Sequence, residues 1–192
     1  MSAPSEFDPS LCVAELSRSN RLDRWCPLPL RFLKPEQRVR DLCAANLCGS
    51  WGRHPQCPPR VGTLAKARSF FAGADSGLLL QRSFQLDPRD KEEERDSRRA
   101  FAEALLALEG TLLAAGAPNP YALFAGPCAL CGPCPALDGS PCLRPELARP
   151  SVEALGVDVM AMLDAVGWDG AFLPDRLTWT GAILFLADPP GR

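Results

Sequence analysis

Histidine is nearly absent: His54 is the only one in 192 residues, which rules out His-rich metal catalysis. There is no G-x-S-x-G elbow, no Gly-rich phosphate loop and no G-x-G-x-x-G, so the sequence motifs of the serine hydrolases, the P-loop enzymes and the dinucleotide-binding folds are missing. Strong charge of either sign is missing too. A formal net charge of −2 gives no bulk attraction to nucleic acid or to an acidic membrane. No apolar run approaches the ~18 residues needed to span a bilayer; the longest candidate, Thr180–Ala187, has the length of a strand. The start, MSAPSEFDPSLC, has no basic segment followed by an apolar core, so no signal peptide is expected. These absences lead us to expect a soluble cytoplasmic protein with no membrane partner and no nucleic-acid partner.

Cysteine and proline are plentiful: 9 cysteines and 20 prolines, within an otherwise ordinary 46% hydrophobic and 23% charged composition. In a reducing compartment, clustered cysteines serve as metal ligands more readily than as disulfides, and an odd number does not complete a disulfide framework. Four of them, Cys128, Cys131, Cys134 and Cys142, follow the spacing C-x2-C-x2-C-x7-C in FAGPCALCGPCPALDGSPC. Three thiols at a strict two-residue interval fit one tight loop around a [4Fe-4S] cluster, with backbone N–H groups turned toward the anionic cluster. Cys142 is near enough to close the cage. Zinc is the rival, although zinc sites more often use two C-x2-C pairs separated by a long gap.

A second group, Cys43, Cys48 and Cys57, lies in CAANLCGSWGRHPQC. Its glycines and prolines predict a loop over residues 43–57. Three outcomes stay open: a second cluster completed by Cys26, a three-cysteine site with one open coordination position, or zinc or no metal. His54 reads as a solvated loop residue that could also ligate. Cys12, on a short helix near Leu11–Leu16, reads as a packed thiol.

Periodicity supplies the frame. Leu64, Ala67 and Phe71 predict a helix over Thr63–Phe71, and GLLLQRSF predicts a buried strand over Gly77–Phe84. Asp87-Pro88 reads as the start of the longest helix, with a charged, solvated first half. In its second half Phe101, Leu105, Leu108 and Leu112 mark one apolar face, and Gly116 marks the stop. Strands are expected at Tyr121–Phe124 and Thr178–Leu186, with a helix from the Asp158 cap to Val166 between them. Glu153, Asp158 and Asp164 read as caps and surface charge. The resulting fold class is α/β or α+β: a small sheet covered by helices, with two cysteine-rich metal-binding loops. Residues 1–25 are expected to form an irregular extension, residues 26–192 a single metal-binding domain, and residues 188–192 a tail.

Taken together, C-x4-C followed by CPP near residue 57, GPCALCGPC, ARPSVEALGVDV over Ala148–Val159 and the closing apolar strand resemble an uncharacterised family of predicted metal-binding proteins. The likeness spans roughly Cys43 to Leu186. It implies metal binding, of an iron–sulfur kind, by Cys43, Cys48, Cys57, Cys128, Cys131, Cys134 and Cys142, and it implies no particular reaction. Arg149 and Glu153, inside the ARPSVEA stretch, read either as groups beside the metal or as a structural pair around a tight turn. The favoured function is electron transfer to a partner redox protein through one or two [4Fe-4S] clusters. The alternatives are an iron–sulfur or metal-dependent enzyme with an open position at the Cys43/Cys48/Cys57 loop, and a zinc-stabilised interaction module. Whether the protein is an enzyme, and on what small molecule it would act, stays open.

Overall fold

Two long strands with unbroken apolar centres form the middle of the molecule. In the computed structural model, which describes residues 8–19 and 21–189, β2 (Ala74–Gln85) and β4 (Arg176–Leu186) pair antiparallel along almost their whole length, from Gln85 opposite Arg176 to Ala74 opposite Leu186. A short strand flanks each of them, β1 (Arg24–Pro27) beside β2 and β3 (Pro120–Leu123) beside β4, giving an antiparallel sheet of order β1-β2-β4-β3. The apolar runs are continuous because both faces are covered. Side chains alternate across a sheet, and Leu78, Leu80, Ile183 and Phe185 enter one core while Leu79, Ala182, Leu184 and Leu186 enter the other. The mixed helix and strand class and the small helix-covered sheet are as the sequence led us to expect.

The first core is built on α4 (Lys91–Ala114), whose Phe101, Leu105, Leu108 and Leu112 are at most 1% exposed. Burying each of these side chains contributes about 1.5–3 kcal/mol relative to exposure. Close approach is possible because Gly181 of β4 has no side chain: a Cβ there would lie 2.7 Å from both Leu105 Cδ1 and the Leu123 carbonyl. The helix expected near Leu11–Leu16 forms as α1 (Ser10–Arg18) and packs against α4 through Val13. The expected tail from Asp188 and the first residues of the chain lie partly outside the described residues.

The second core is covered by α3 (Leu64–Ala72) and α5 (Val159–Ala165), capped by the Thr63 hydroxyl and the Asp158 carboxylate, which accept from the N–H groups of Lys66 and Ala161. The N-cap of α4 differs from expectation. Asp87 accepts from the Arg89 N–H in a turn, and Asp90 caps the helix by accepting from the Glu92 and Glu93 N–H groups. A further helix, α2 (Gln37–Ala44), was not anticipated. It is moored to a tight helical turn at Glu153–Leu155, where the Glu36 N–H donates to the Gly156 carbonyl at 2.8 Å. Among the described residues no helix is long and apolar enough to cross a membrane.

Candidate metal centre

The seven cysteines of the two groups lie in two segments that the fold presses together. The first begins on the last turn of α2, where Cys43 stands; this corrects the expectation of a loop from residue 43. The helix ends at Ala45, Asn46 turns the chain at a φ of 55°, and its side chain accepts from the Trp51 N–H. From there the segment is irregular through Cys48 and Cys57. Cys48 is exposed, Cys43 is half-buried and Cys57 is buried.

The second segment leaves β3 at Phe124 and returns at Ser151. Its two ends are stitched by a parallel bridge: the Phe124 N–H donates to the Pro150 carbonyl at 2.9 Å, and the Val152 N–H donates to the Phe124 carbonyl at 3.3 Å. Arg149 fixes the exit. Its Nη2 lies 2.6 Å from Glu109 Oε1 on α4, and Glu109 Oε2 accepts from the Ala122 N–H. Arg149 therefore pairs with Glu109, and the expected Arg149–Glu153 pair does not form. Gly126, at a φ of +63°, makes the first turn of this loop directly beside Arg98, where a Cβ would sit 3.4 Å from Arg98 Nη1.

Within that clamp Cys128, Cys131, Cys134 and Cys142 line a single pocket, roofed by His54, Pro55 and Gln56 of the first segment. Arg53 ties the segments further by donating to the Leu137 carbonyl at 3.0 Å. Burial pushes the Cys128 thiol up, and the negative neighbours Cys134, Cys142 and Cys131 push the same way against a hydrogen bond from the Leu130 N–H. The Cys57 thiol is pushed up to about 12, first by burial, then by Cys48 and Cys43, with Cys128 contributing as well. The two segments adjoin where His54, Pro55 and Gln56 line the pocket of Cys128. Among the described residues no three His, Cys, Asp or Glu side chains stand close enough together to hold a single metal ion. The larger groove between Leu30 and α3, lined by Lys34, Arg68 and Phe71, carries no cysteine.

Cys26 does not join the first group. It lies on β1 opposite Leu79 and packs against the second core, where burial raises its thiol. Cys12 packs against the α4 core. His54 is 3% exposed and not solvated as expected. Its Nδ1 accepts from the Gln56 N–H at 3.1 Å, which leaves the proton on Nε2. Nε2 faces the Cys128 carbonyl without reaching hydrogen-bond geometry, and burial holds the imidazole below its usual range, hence neutral.

Two charged residues beside the cysteines, Arg98 and Arg40, were not singled out as site residues by the sequence, which reads Glu153 both as surface charge and as a group beside the metal. Arg98 was placed in a solvated half-helix; Lys91–Glu93 and Arg95 are exposed there, whereas Arg98 turns inward, paired with Glu94 at 3.1 Å and stacked 5.7 Å from the Trp179 ring. Its position three residues before Phe101 on the apolar stripe was the available signal. Arg40 on α2 is 6% exposed and donates to the Gly62 carbonyl at 3.0 Å. Glu153, expected as surface charge, carries a buried oxygen, and burial pushes its carboxyl up. The buried Arg40 Nε and Nη2, Arg98 Nε, His54 Nε2 and Glu153 Oε2 have no hydrogen-bond partner. Soft thiols in one pocket with unpartnered N–H donors around them suit a metal centre of net negative charge, whose thiolate or sulfide sulfurs accept such donors. No curated protein and no solved structure matches the chain. A family model described as predicted metal-binding protein (DUF2284) matches residues 27–185, which takes in both cysteine segments, and the chain belongs to that family.

Proposed function

We propose that this metal-binding protein carries a [4Fe-4S] cluster on Cys128, Cys131, Cys134 and Cys142 and passes electrons to a partner redox protein. The observation that carries the reading is the common pocket of these four thiols, with no carboxylate lining it and unpartnered donors beside it. A cluster bound there supplies one-electron redox chemistry. The chain supplies the surroundings. The parallel bridge and the Arg149–Glu109 pair hold the loop's ends, His54 to Gln56 exclude water from one side, and Arg98, paired with Glu94, lies beside the loop's first turn at Gly126. A cation beside an anionic centre favours its reduced form, so Arg98→Met lowers the midpoint potential.

The test is anaerobic purification followed by iron and sulfide analysis, EPR of the reduced protein and a redox titration. A brown protein with about four irons and four sulfides per cluster, whose reduced signal is lost in Cys131→Ser, is the expected result. A colourless protein holding stoichiometric zinc on the same cysteines overturns the redox reading and leaves a zinc-stabilised module. Cys43, Cys48 and Cys57 are adjacent candidates for a second centre in the same protein.

A further inference from the structure

Away from the cysteines, a groove of about 500 Å³ runs between residues 30–35 and α3. Leu30 and Leu33 line one wall, Phe71 and Ala72 the other. The first wall is held by its own backbone. The Phe32 and Leu33 N–H groups donate to the Pro29 and Leu30 carbonyls at 3.0 and 2.9 Å, and the Lys34 N–H donates to the Phe32 carbonyl at 2.7 Å. The second wall is helix, started by the Thr63 cap. Arg68 joins the two, its Nη2 donating to the Pro35 carbonyl at 3.1 Å. Leu33 and Phe71 are 6% and 7% exposed, so the floor is anchored in the second core. A groove built in this way is formed before a ligand arrives, and a preformed site loses little entropy on binding.

Its charge is one-sided. The chain as a whole carries a net charge of −2, yet Lys34 and Arg68 line this groove and no acid does. Neither cation pairs with a carboxylate among the described residues. Glu36, the next residue after Pro35, is engaged with Arg38 at 2.6 Å. The Pro35 carbonyl takes one hydrogen bond from Arg68 and leaves its charge uncompensated. A ligand that matches the groove is apolar along its body and anionic at one end. The planar guanidinium fork suits a planar carboxylate, and an ammonium beside it adds a second donor.

We propose that this groove binds an amphipathic carboxylate, a small molecule with an aliphatic or aromatic body and one carboxylate head. The head pairs with Lys34 and Arg68, and the body lies over Leu33 and Phe71. The volume is within the range of small-molecule sites, roughly 300–1,000 Å³. The inference is independent of the metal that the cysteines hold and of electron transfer.

The experiment uses the full chain, purified anaerobically, and isothermal titration calorimetry. The probes are octanoate, acetate, octanol, octylamine and octyl phosphate, each below the concentration at which it forms micelles. Octanoate is expected to bind saturably and roughly tenfold more tightly than octanol, with acetate and octylamine weaker still. Lys34→Gln and Arg68→Gln are each expected to weaken octanoate roughly tenfold and to leave octanol unchanged. Ala72→Phe fills the groove without changing its charge and is expected to abolish binding of both. Circular dichroism and metal content per chain should match wild type in all three variants. If Arg68→Gln does not fold for want of its bond to Pro35, Lys34→Gln and Ala72→Phe carry the test, since both side chains are exposed. Absence of saturable octanoate binding overturns the proposal, as does octanol or octylamine binding as tightly as octanoate. Octanoate bound equally well by Ala72→Phe places the ligand elsewhere and overturns it too. Octyl phosphate binding more tightly than octanoate overturns the carboxylate head.

Discussion

The two cysteine segments solve the problem of gathering thiols in opposite ways. Cys128 to Cys142 all sit on one loop whose ends are tied to each other and, through Arg149, to α4. Cys43, Cys48 and Cys57 come from a helix end, an exposed turn and a buried turn. A closed, self-contained loop can hold its centre with little movement, which suits a carrier of electrons. We expect the second segment to be the more rigid and the first the more adaptable, and removing a cysteine from each is the strongest way to break the comparison. Cys131→Ser is expected to cost the bound metal together with much of the fold, since a metal gathered by a loop contributes folding free energy. A fall in Tm of roughly 10 °C or more, read by differential scanning calorimetry, is the expected size. Cys48→Ser is expected to lose metal with a Tm change of only ~1–2 °C, because the side chain is exposed. Equal losses of stability would erase the distinction.

The next largest effect comes from the clamp. Arg149 and Glu109 are 12% and 16% exposed, and Arg149→Met leaves the Glu109 carboxylate half-satisfied by the Ala122 N–H. Breaking a largely buried pair from one side costs about 2–4 kcal/mol. Urea unfolding should show this. Metal release to a chelator should quicken at the four-cysteine loop and stay unchanged at Cys43, Cys48 and Cys57; parallel release from both would mean the clamp does not belong to one segment.

How far the sequence foretold this arrangement depends on distance along the chain. The spacing of Cys128, Cys131, Cys134 and Cys142 is local, and so was their grouping. The same holds for α4, whose stripe of Phe101, Leu105, Leu108 and Leu112 is periodic, and for β2 and β4, whose apolar runs are bounded by turn residues. Gln56 beside Cys128 in one pocket is a meeting across seventy-two positions, with no periodic pattern to announce it. Helix α2 was hidden because its apolar residues are few, and its packing on Glu153–Leu155 supplies what the local pattern lacks. Asp87 and Asp90 are both good caps three residues apart, and only the turn at Asp87 decides between them. Glu153 reads both as surface charge and as a group beside the metal, and nothing in its local sequence decides between them.

A smaller test concerns protons. In reduced, chelator-stripped protein the folded pKa of Cys57 lies at about 12, above the ~8.5 of an unfolded thiol. Folding therefore holds this proton more tightly than unfolding does. No stability is lost below the unfolded value, and stability falls as pH rises from there toward the folded value. From Cys57 alone the loss by pH 10 is about 2 kcal/mol. The raised Cys128 and Cys43 thiols add in the same direction. Metal-loaded protein should behave oppositely, weakening as pH falls, since its thiolates must be deprotonated to ligate. Unfolding curves of both forms from pH 6 to 10 measure the two slopes, and a metal-free protein of constant stability across that range would contradict the burial of Cys57.

The smallest effect tests how the first segment is moored. Arg38 on α2 bonds Asp158 at 2.6 Å, linking the helix that carries Cys43 to the start of α5. Burial would raise the Asp158 carboxyl, but the Arg38 guanidinium and the Ala161 N–H outweigh it and hold the group below its usual range. A depressed carboxylate contributes stability that is complete above the unfolded value and disappears as pH falls through the folded one. Asp158→Asn keeps a good N-cap and removes only the charge, so it isolates the pair from the cap. Arg38 is more than half exposed, and solvent screens the pair. The variant should melt only ~1 °C below wild type at neutral pH and converge with it in acid. Its sharper readout is metal exchange. If α2 positions Cys43 through this tie, release from the three-cysteine group should quicken while the four-cysteine loop holds its metal as before, the mirror image of Arg149→Met. An effect on both groups would show that the two segments move as one, joined where His54 to Gln56 meet the pocket of Cys128.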